Sequence, residues 1–369
     1  MGKVTVTVLG GGNGAFAAAA DLTLRGYDVR LLEAPEFRQT IEPVLAADGI
    51  QLENPKIAEL GSGLARVPVM TTDAAPALAG ADIVLFLVPA FAERRFAEMI
   101  APHVRPDQLL VLFCGSFGGA LELAAYLRGA GAPVPLIAEA EALVYAALKS
   151  GPTSVRIMGR KAGVGVSALP AGRVSQVLDR LRPLYPDLVA RADVLETGLR
   201  HTGPIAHVAA TVLNAGRIDP SVPPFRFYRE GFPGPVARVA AQTDAERLRV
   251  AEAFGFRLAS TMDTMLAWYS DQGAHGSTLG EVLSTNPPFQ ATLAPQTLQH
   301  RFLTEEVPFG FVPLEGLGKL CGVPTPAVSS LITLASLLLD TDLRAGGRNL
   351  QRLGLGGLTR QEIARMLQA

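Results

Sequence analysis

A Gly-rich segment after the first apolar run has the spacing of a phosphate-binding turn. Residues 4–9 alternate as a β-strand does, and the pattern G-x-G-x-x-A follows immediately before a helix of small residues. In such a turn the first glycine permits the tight bend, and the second lets the backbone approach a pyrophosphate at the helix N-terminus. The segment predicts a dinucleotide site; the alternative is a Gly-rich turn that binds no nucleotide. The residues expected to touch the dinucleotide are Gly10, Gly12, Asn13, Gly14 and Ala15.

An acid ends the second predicted strand, where a ribose-binding carboxylate belongs. Glu33 closes the strand that follows the small-residue helix. A carboxylate there accepts hydrogen bonds from the ribose hydroxyls of NAD and repels the extra phosphate of NADP, so NAD is the predicted cofactor and NADP remains possible. Two alternatives stay open: Glu33 is a solvent-facing acid at a strand end, or Arg38 turns toward a phosphate.

A polar stripe lies on an otherwise apolar helix in the second half of the chain. His207, Thr211 and Asn214 stand at i, i+4 and i+7, which is one helix face. A lone histidine on such a helix is most often a satisfied core residue. A whole stripe is different, because each buried polar group must find a partner or face a cleft. We therefore treat His207 as a candidate general acid and base.

A charged segment near residue 300 combines Arg301 with Glu305 and Glu306. The simpler interpretation is an exposed helix end with an i,i+4 ion pair. The functional interpretation is an arginine fork for a substrate carboxylate, together with an acid that orients a catalytic histidine.

The elements that carry these residues divide the chain into two halves. Up to about residue 190, strands alternate with helices, which indicates right-handed crossovers and a parallel sheet. The predicted fold is α/β, with an N-terminal Rossmann doubly wound sheet over residues 1–190 and an all-helical C-terminal domain over 191–369. A hairpin is expected around Thr153 to Leu169. Residues 219–235 contain five prolines and are expected to form an ordered loop over the cleft or at an interface.

Composition excludes several classes of protein. The 33 basic and 34 acidic residues give a net charge of −1, so there is no basic field for nucleic acid or an anionic membrane. The two cysteines, Cys114 and Cys321, lack the spacing of a zinc site or a disulfide framework, and no metal is expected. The chain starts in a strand pattern without a signal peptide, which predicts a cytoplasmic protein acting on small molecules.

The chain resembles the opine dehydrogenases, the octopine and nopaline dehydrogenase group. The resemblance extends over nearly the whole sequence and is most specific in the last two of the following segments. These are GGGNGAFAAAADL at residue 10, VPAFAE at Val88, AEAEALVYA at Ala138, HVAATVLNAGRI at His207 and RFLTEEVPFGFVPL at Arg301.

The resemblance implies a reaction and roles for particular residues. The reaction is NAD(P)H-dependent reductive condensation of a 2-oxo acid with the amino group of an amino acid. The expected 2-oxo acid is pyruvate. His207 matches the catalytic histidine, Glu306 falls where the family usually has the aspartate of the dyad, and Arg301 matches a substrate arginine. Glu141 matches an acid that lines the amino-donor pocket in octopine-type enzymes, Asn214 stands in the same motif as His207, and Pro89 is expected on the cofactor side. Trp268, the only tryptophan, is either a wall of the substrate pocket or a core residue.

The sequence also departs from the family pattern on the amino-donor side. Ala142 and Ala147 replace an expected threonine and cysteine, and Ser116 stands where a glutamine is expected. Arginine is therefore not assumed to be the amino donor.

Two rival functions and one oligomeric state also fit the sequence. One rival enzyme is of the ketopantoate reductase or glycerol-3-phosphate dehydrogenase type, which would have a lysine where the cleft helix offers His207. Another rival is a non-catalytic NAD-binding sensor. The apolar helices could also form the surface of a homodimer.

Overall fold

The computed structural model describes residues 4–54 and 61–368. Among these residues the chain divides into two compact units. The first comprises 4–115, 119–194 and 368, and the second comprises 116–118 and 195–367. Along the described chain, no helix is both long enough and apolar enough to cross a membrane.

The first unit contains two sheets. Its strands, in chain order, are β1 Thr5–Leu9, β2 Asp28–Leu32, β3 Ile50–Glu53, β4 Gly63–Ala65, β5 Val69–Thr71, β6 Ile83–Phe86, β7 Leu109–Phe113, β8 Leu136–Ala140, β9 Tyr145–Lys149, β10 Ser154–Arg160, β11 Gly165–Leu169 and β12 Val189–Ala190. The main sheet has the order β12-β11-β8-β7-β6-β1-β2-β5, and all its pairs are parallel except β11 with β8. This arrangement confirms the predicted Rossmann fold.

Helices fill the crossovers between these strands. They are α1 Asn13–Leu24, α2 Glu42–Ala46, α3 Ala74–Leu78, α4 Ala90–Ile100, α5 Gly119–Gly129 and α6 Val174–Leu181. Every residue of β1, β6, β7 and β8 is buried, as expected for parallel strands covered on both faces. In α1 the residues from Ala15 to Leu22 are all buried, and five of these eight are alanines, which lets the helix pack closely.

The hairpin predicted around Thr153 to Leu169 is wrong. Both strands exist, as β10 and β11, but they belong to different sheets. β11 joins the main sheet beside β8, whereas β10 pairs with β9 and β3 in a second sheet of order β4-β3-β10-β9. Alternating apolar residues indicate where a strand lies but not which strand it pairs with, so the second sheet was missed.

The second unit is helical, which confirms the predicted class of the C-terminal half. The helices after residue 190 are α7 Val194–Arg200, α8 Gly203–Leu213, α9 Phe227–Glu230, α10 Gly234–Ala253, α11 Thr261–Tyr269, α12 Leu279–Thr285, α13 Arg301–Thr304, α14 Val312–Cys321, α15 Pro326–Leu339 and α16 Arg360–Gln368. A π-helical turn, Val307–Phe311, lies between α13 and α14. Such turns are often found at functional sites.

Candidate active site

Helix α8 supplies the candidate catalytic histidine. It begins after Thr202 with Pro204 in its first turn, where a proline needs no N–H partner. Ile205, Val208 and Val212 are buried and anchor the helix in the second unit. His207 keeps 17% of its side chain exposed, so its imidazole combines a fixed position with access to solvent.

Glu306 lies against His207 although the two residues are far apart in sequence. Its Oε1 is 2.7 Å from His207 Nδ1, and only 3% of its side chain is exposed. The carboxylate comes directly before the π-helical turn and two residues after the end of α13. The structure therefore brings the two predicted dyad residues together.

A second histidine holds the other oxygen of the same carboxylate. His201 follows α7, and its Nε2 lies 3.2 Å from Glu306 Oε2. Gly203 makes this approach possible, since a Cβ there would lie 2.6 Å from both Glu306 Oε1 and His201 Nε2. No real Cβ contact is that short, so the carboxylate and His201 occupy the space that any other residue would need.

These contacts determine the protonation state of the dyad. Burial by itself raises the pKa of Glu306, but the hydrogen bonds and charges of His201 and His207 outweigh it and lower that pKa well below its usual range. An ionised carboxylate can only accept, so His207 donates from Nδ1 to Glu306. His207 Nε2 is thereby left as the nitrogen that can exchange a proton with another group.

Aromatic residues fix the plane and the outer nitrogen of the imidazole. Phe302 of α13 stacks on His207 with ring centroids 4.1 Å apart and planes 8° from parallel. Tyr228 of α9 brings its hydroxyl oxygen to 2.8 Å from His207 Nε2. The imidazole is thus held at both nitrogens and on one face.

Arg301 lies one residue before Phe302. Its guanidinium is 2.8 Å from Glu305 Oε2, with 48% of the arginine side chain exposed and 3% of the glutamate side chain. The i,i+4 ion pair of the simpler interpretation is therefore present. The positive charge of Arg301 also acts on Tyr228 and His300: with burial, it helps to lower the pKa of His300 to about 4. The charge of Arg301 therefore reaches Tyr228, whose hydroxyl contacts His207.

The polar stripe of α8 does not act as one surface. The Thr211 hydroxyl donates to the carbonyl of His207, one turn earlier in the same helix. The Asn214 amide donates to the carbonyls of Ala210 and Gly231. These two side chains satisfy backbone groups, so their observed contacts differ from those of His207. Binding of substrate by Asn214 stays a prediction, and its observed contacts are those of a helix C-cap.

The Gly-rich turn of the first unit has the shape that a dinucleotide requires. Gly10 has a φ of +103°, and a Cβ there would lie 2.7 Å from Val88 Cγ1. Gly12 is the N-cap of α1; it has no capping side chain, and a Cβ there would meet nothing within 4 Å. The first turn of α1 contains no acid. Backbone N–H groups at this helix end can therefore receive a phosphate.

The neighbours of this turn include the other predicted cofactor residues. Gly14 and Ala15 lie in the first turn of α1, and Pro89 is the N-cap of α4, three residues beyond the carboxyl end of β6. β6 is adjacent to β1 in the sheet, so the two turns lie at the same edge. That edge is where ligands bind in open parallel sheets.

Glu33 is enclosed by the segment that follows β2. Its Oε1 accepts from the Ala34 N–H at 2.7 Å, and its Oε2 accepts from the Thr40 hydroxyl at 3.0 Å. Burial raises the pKa of Glu33, while these hydrogen bonds oppose the shift. The solvent-facing alternative is therefore wrong, since the side chain is buried. Each oxygen still has acceptor capacity for a ribose hydroxyl.

Lys149, at the end of strand β9, forms hydrogen bonds with the same turn. The Lys149 N–H donates to Asn13 Oδ1 at 3.0 Å, and Lys149 Nζ donates to the Gly11 carbonyl at 3.2 Å. The ammonium also lies 3.8 Å from the centroid of the Phe16 ring. Lys149 thus joins the second sheet to the Gly-rich turn, and it was missed because its contacts depend on the pairing of β9.

Glu141 and Trp268, which were both predicted on the substrate side, occupy different surroundings. Glu141 accepts from the Gly165 N–H at 2.8 Å and forms a two-pronged ion pair with Arg191, at 2.9 and 3.0 Å. Trp268 is buried on α11. Their roles toward substrate stay predictions. The Arg191 ion pair is a structural use of Glu141 that the sequence did not indicate.

Sequence reasoning missed three residues around the dyad. They are His201, Tyr228 and Phe302. The sequence did contain an indication for His201, because this residue lies shortly before the Gly-Pro that starts α8 and six residues before His207. Tyr228 lies on a four-residue helix in a proline-rich segment, where no periodicity indicates the direction of a side chain.

Known proteins with similar sequences include opine and octopine dehydrogenases. The family model for the alpha-helical domain of NAD/NADP octopine/nopaline dehydrogenases matches residues 190–339. An opine dehydrogenase of Arthrobacter sp. (strain 1C) is 35% identical over 96% of this chain and 96% of its own. An octopine dehydrogenase of Pecten maximus is 25% identical over 90% of this chain and 89% of its own.

Solved structures give the same result for the fold. A structure of octopine dehydrogenase with NADH and L-arginine has a TM-score of 0.78 at 24% identity and covers 98% of each chain. These relatives do not favour a ketopantoate reductase type of enzyme or a non-catalytic sensor. Because a relative at 35% identity matches nearly the whole sequence, this chain belongs to the opine dehydrogenase family of NAD(P)-dependent oxidoreductases that act on CH–NH donors.

Proposed function

We propose that this protein condenses a 2-oxo acid, pyruvate first among them, with the amino group of an amino acid and reduces the product with NAD(P)H. The observation that carries the proposal is the 2.7 Å contact of His207 Nδ1 with the buried carboxylate of Glu306. A positioned histidine with an ionised orienting acid is what proton transfer to a carbonyl oxygen requires.

His207 acts twice in the proposed sequence. It first gives a proton to the carbonyl oxygen as the amine attacks the carbonyl carbon, and it then takes a proton back from the nitrogen of the adduct. It next gives that proton to the same oxygen, which leaves as water, and a protonated imine remains. NADH, when bound, would supply the hydride that reduces the imine. Glu306 keeps the proton on Nδ1 and balances the charge of the imidazolium.

Arg301 is the proposed ligand of the 2-oxo acid carboxylate. Its guanidinium is half exposed and presents donors in a planar fork that matches a carboxylate. The pairing with Glu305 holds the side chain in one orientation. Trp268, Glu141 and Asn214 are kept as candidates on the amino-acid side, and arginine is not assumed as the donor.

The proposed cofactor is NAD, with NADP as the second possibility. Glu33 directly follows β2 beside the Gly-rich turn, and a carboxylate there disfavours a ribose phosphate. The turn residues Gly10 and Gly12 give the backbone shape for the diphosphate, with Asn13, Gly14, Ala15 and Pro89 around it.

A substrate screen tests the proposal directly. The protein is mixed with NADH, or with NADPH, and a panel of 2-oxo acids is crossed with the proteinogenic amino acids. We expect NADH oxidation that requires both components and a product with a new C–N bond by mass spectrometry. Oxidation with the 2-oxo acid alone would indicate a simple reductase. Tight NADH binding without any turnover would indicate a sensor.

Two further parts of the proposal concern the state of the protein. We propose a homodimer formed through the helical unit, because Leu334, Leu337 and Leu338 of α15 are exposed apolar residues. Light scattering of the purified protein measures its molar mass in solution and so tests for a dimer. A cytoplasmic location also stays a prediction and is measured by cell fractionation.

A further inference from the structure

Tyr228 occupies the one position through which His207 can pass its proton. The Tyr228 oxygen lies 2.8 Å from His207 Nε2, the nitrogen that Glu306 leaves available. An imidazole nitrogen makes one hydrogen bond, along its N–H or its lone pair. A substrate oxygen therefore either displaces the Tyr228 hydroxyl or receives the proton through it.

Packing favours a tyrosine that stays in place. The Tyr228 side chain is buried, and its ring stacks on Phe289 at 4.5 Å between centroids. Phe227 meets it edge to face at 5.1 Å and 89°. Phe302 meanwhile holds the imidazole in a parallel stack. Moving the phenol out of this cluster would open a gap between several aromatic rings, which is unfavourable.

The hydroxyl can serve as a link because it both accepts and donates. Burial raises the pKa of Tyr228, so the phenol keeps its proton at neutral pH. When His207 is neutral, the hydroxyl donates to the Nε2 lone pair. When His207 is protonated, Nε2–H donates to the phenol oxygen, and the phenol hydrogen is then available to a third group.

We propose that Tyr228 is a further catalytic residue, whose hydroxyl carries the proton from His207 Nε2 to the reacting oxygen of the substrate. This inference rests on the proposed function. In the dehydration step the Nε2 proton moves to the phenol oxygen as the phenol proton moves to the hydroxyl of the carbinolamine. The C–O bond breaks and water leaves, the nitrogen lone pair completes the C=N bond, and His207 ends neutral with Tyr228 restored.

The main test is Tyr228→Phe, which removes the hydroxyl and keeps the ring. The matched control is Tyr269→Phe, which removes the hydroxyl of a second buried tyrosine that contacts Phe289. We expect kcat to fall about 10²-fold in Tyr228→Phe, at the lower end of what positioned acid–base groups contribute, with NADH affinity and Tm like those of the control. An unchanged kcat with a lower KM for the 2-oxo acid would overturn the relay and identify Tyr228 as a displaced occupant of the site.

A measurement on the wild-type protein covers the case in which Tyr228→Phe does not fold. A relay moves two protons in one step, so the single-turnover rate plotted against the fraction of D₂O should curve. A straight or flat plot would overturn the relay. If the wild-type protein oxidises NADH with no pair of substrates, the proposed function itself fails, and that result differs from an active enzyme indifferent to Tyr228.

Discussion

Gly203 lies directly behind the carboxylate of Glu306, so a methyl group at residue 203 would sit 2.6 Å from Glu306 Oε1. We predict that Gly203→Ala displaces the carboxylate and lowers kcat by about tenfold to a hundredfold, since small misplacements near the chemistry have effects of that order. NADH affinity should not change.

The control for this variant is Gly216→Ala, because a Cβ at Gly216 meets nothing within 4 Å. Steady-state kinetics and fluorescence titration with NADH measure both effects. Equal activity of the two variants would show that Glu306 tolerates the shift and does not need its observed position.

The dyad should behave as a unit. His207→Asn is expected to lower kcat by about 10²- to 10⁴-fold while the protein stays folded and binds NADH. Glu306→Gln should be damaging alone yet add little to His207→Asn, because residues that act together are strongly non-additive. Turnover and Tm of both single variants and the double variant decide this. Two independent multiplicative losses would contradict the dyad.

Arg301→Lys tests the carboxylate fork. Lysine keeps the charge but loses the two parallel hydrogen bonds, so KM for the 2-oxo acid should rise about tenfold with NADH affinity unchanged. Arg249→Lys, an exposed substitution on α10, is the control. An unaltered KM would mean that the Arg301–Glu305 ion pair is only structural.

Glu33→Ser tests cofactor preference. The wild-type protein should turn over faster with NADH than with NADPH at limiting cofactor, and the variant should lose or reverse this preference. Thr40→Val removes the hydroxyl contact with Glu33 Oε2 but keeps the carboxylate, so its cofactor ratio should match the wild type. A wild-type preference for NADPH would refute the assignment of Glu33.

Stability at acid pH should depend on Glu315. Its oxygens lie 2.9 and 3.0 Å from the Arg344 guanidinium and 2.9 Å from Lys319 Nζ. Burial opposes ionisation, yet these cations lower the pKa of Glu315 to about 2. Glu315→Gln should therefore reduce the free energy of unfolding by about 1–3 kcal/mol at pH 7.

The sign of the pH effect follows from the depressed pKa. The contribution of Glu315 is fully present above the pKa of the unfolded chain, near 4.5, and is lost as pH falls toward 2. Denaturant unfolding at pH 7 and at pH 3 should thus show a smaller difference between variant and wild type at pH 3. The control Glu98→Gln breaks an exposed pair with Arg94 and should have almost no effect. A difference that does not shrink with acid would assign the stabilisation to packing.

Periodicity explains why so much of the first unit could be predicted. The Gly-rich turn, β1, β2 and Glu33 follow one another in sequence, so local pattern was sufficient for the Rossmann core. The pairing of β9, β10 and β3 depends on contacts between distant segments, and strand alternation contains no information about partners.

The residues of the candidate site also fall into those that the sequence could indicate and those that only the fold brings together. His207 could be selected from its helix, and Glu306 was assigned by family resemblance. His201 and Tyr228 reach the dyad only through the fold, from a helix end and from a four-residue helix. The sequence could not show that the side chains of Thr211 and Asn214 would donate to backbone carbonyls.

The contacts of Lys149 with Gly11 and Asn13 have a consequence for how the protein is made. The Gly-rich turn is synthesised more than a hundred residues before the strand that contacts it. A nascent chain that ends before β9 therefore contains the turn but lacks the hydrogen bonds that Lys149 makes with it. We expect nucleotide affinity to appear late in synthesis, and a fragment containing only β1, α1 and β2 to be a poor cofactor-binding module.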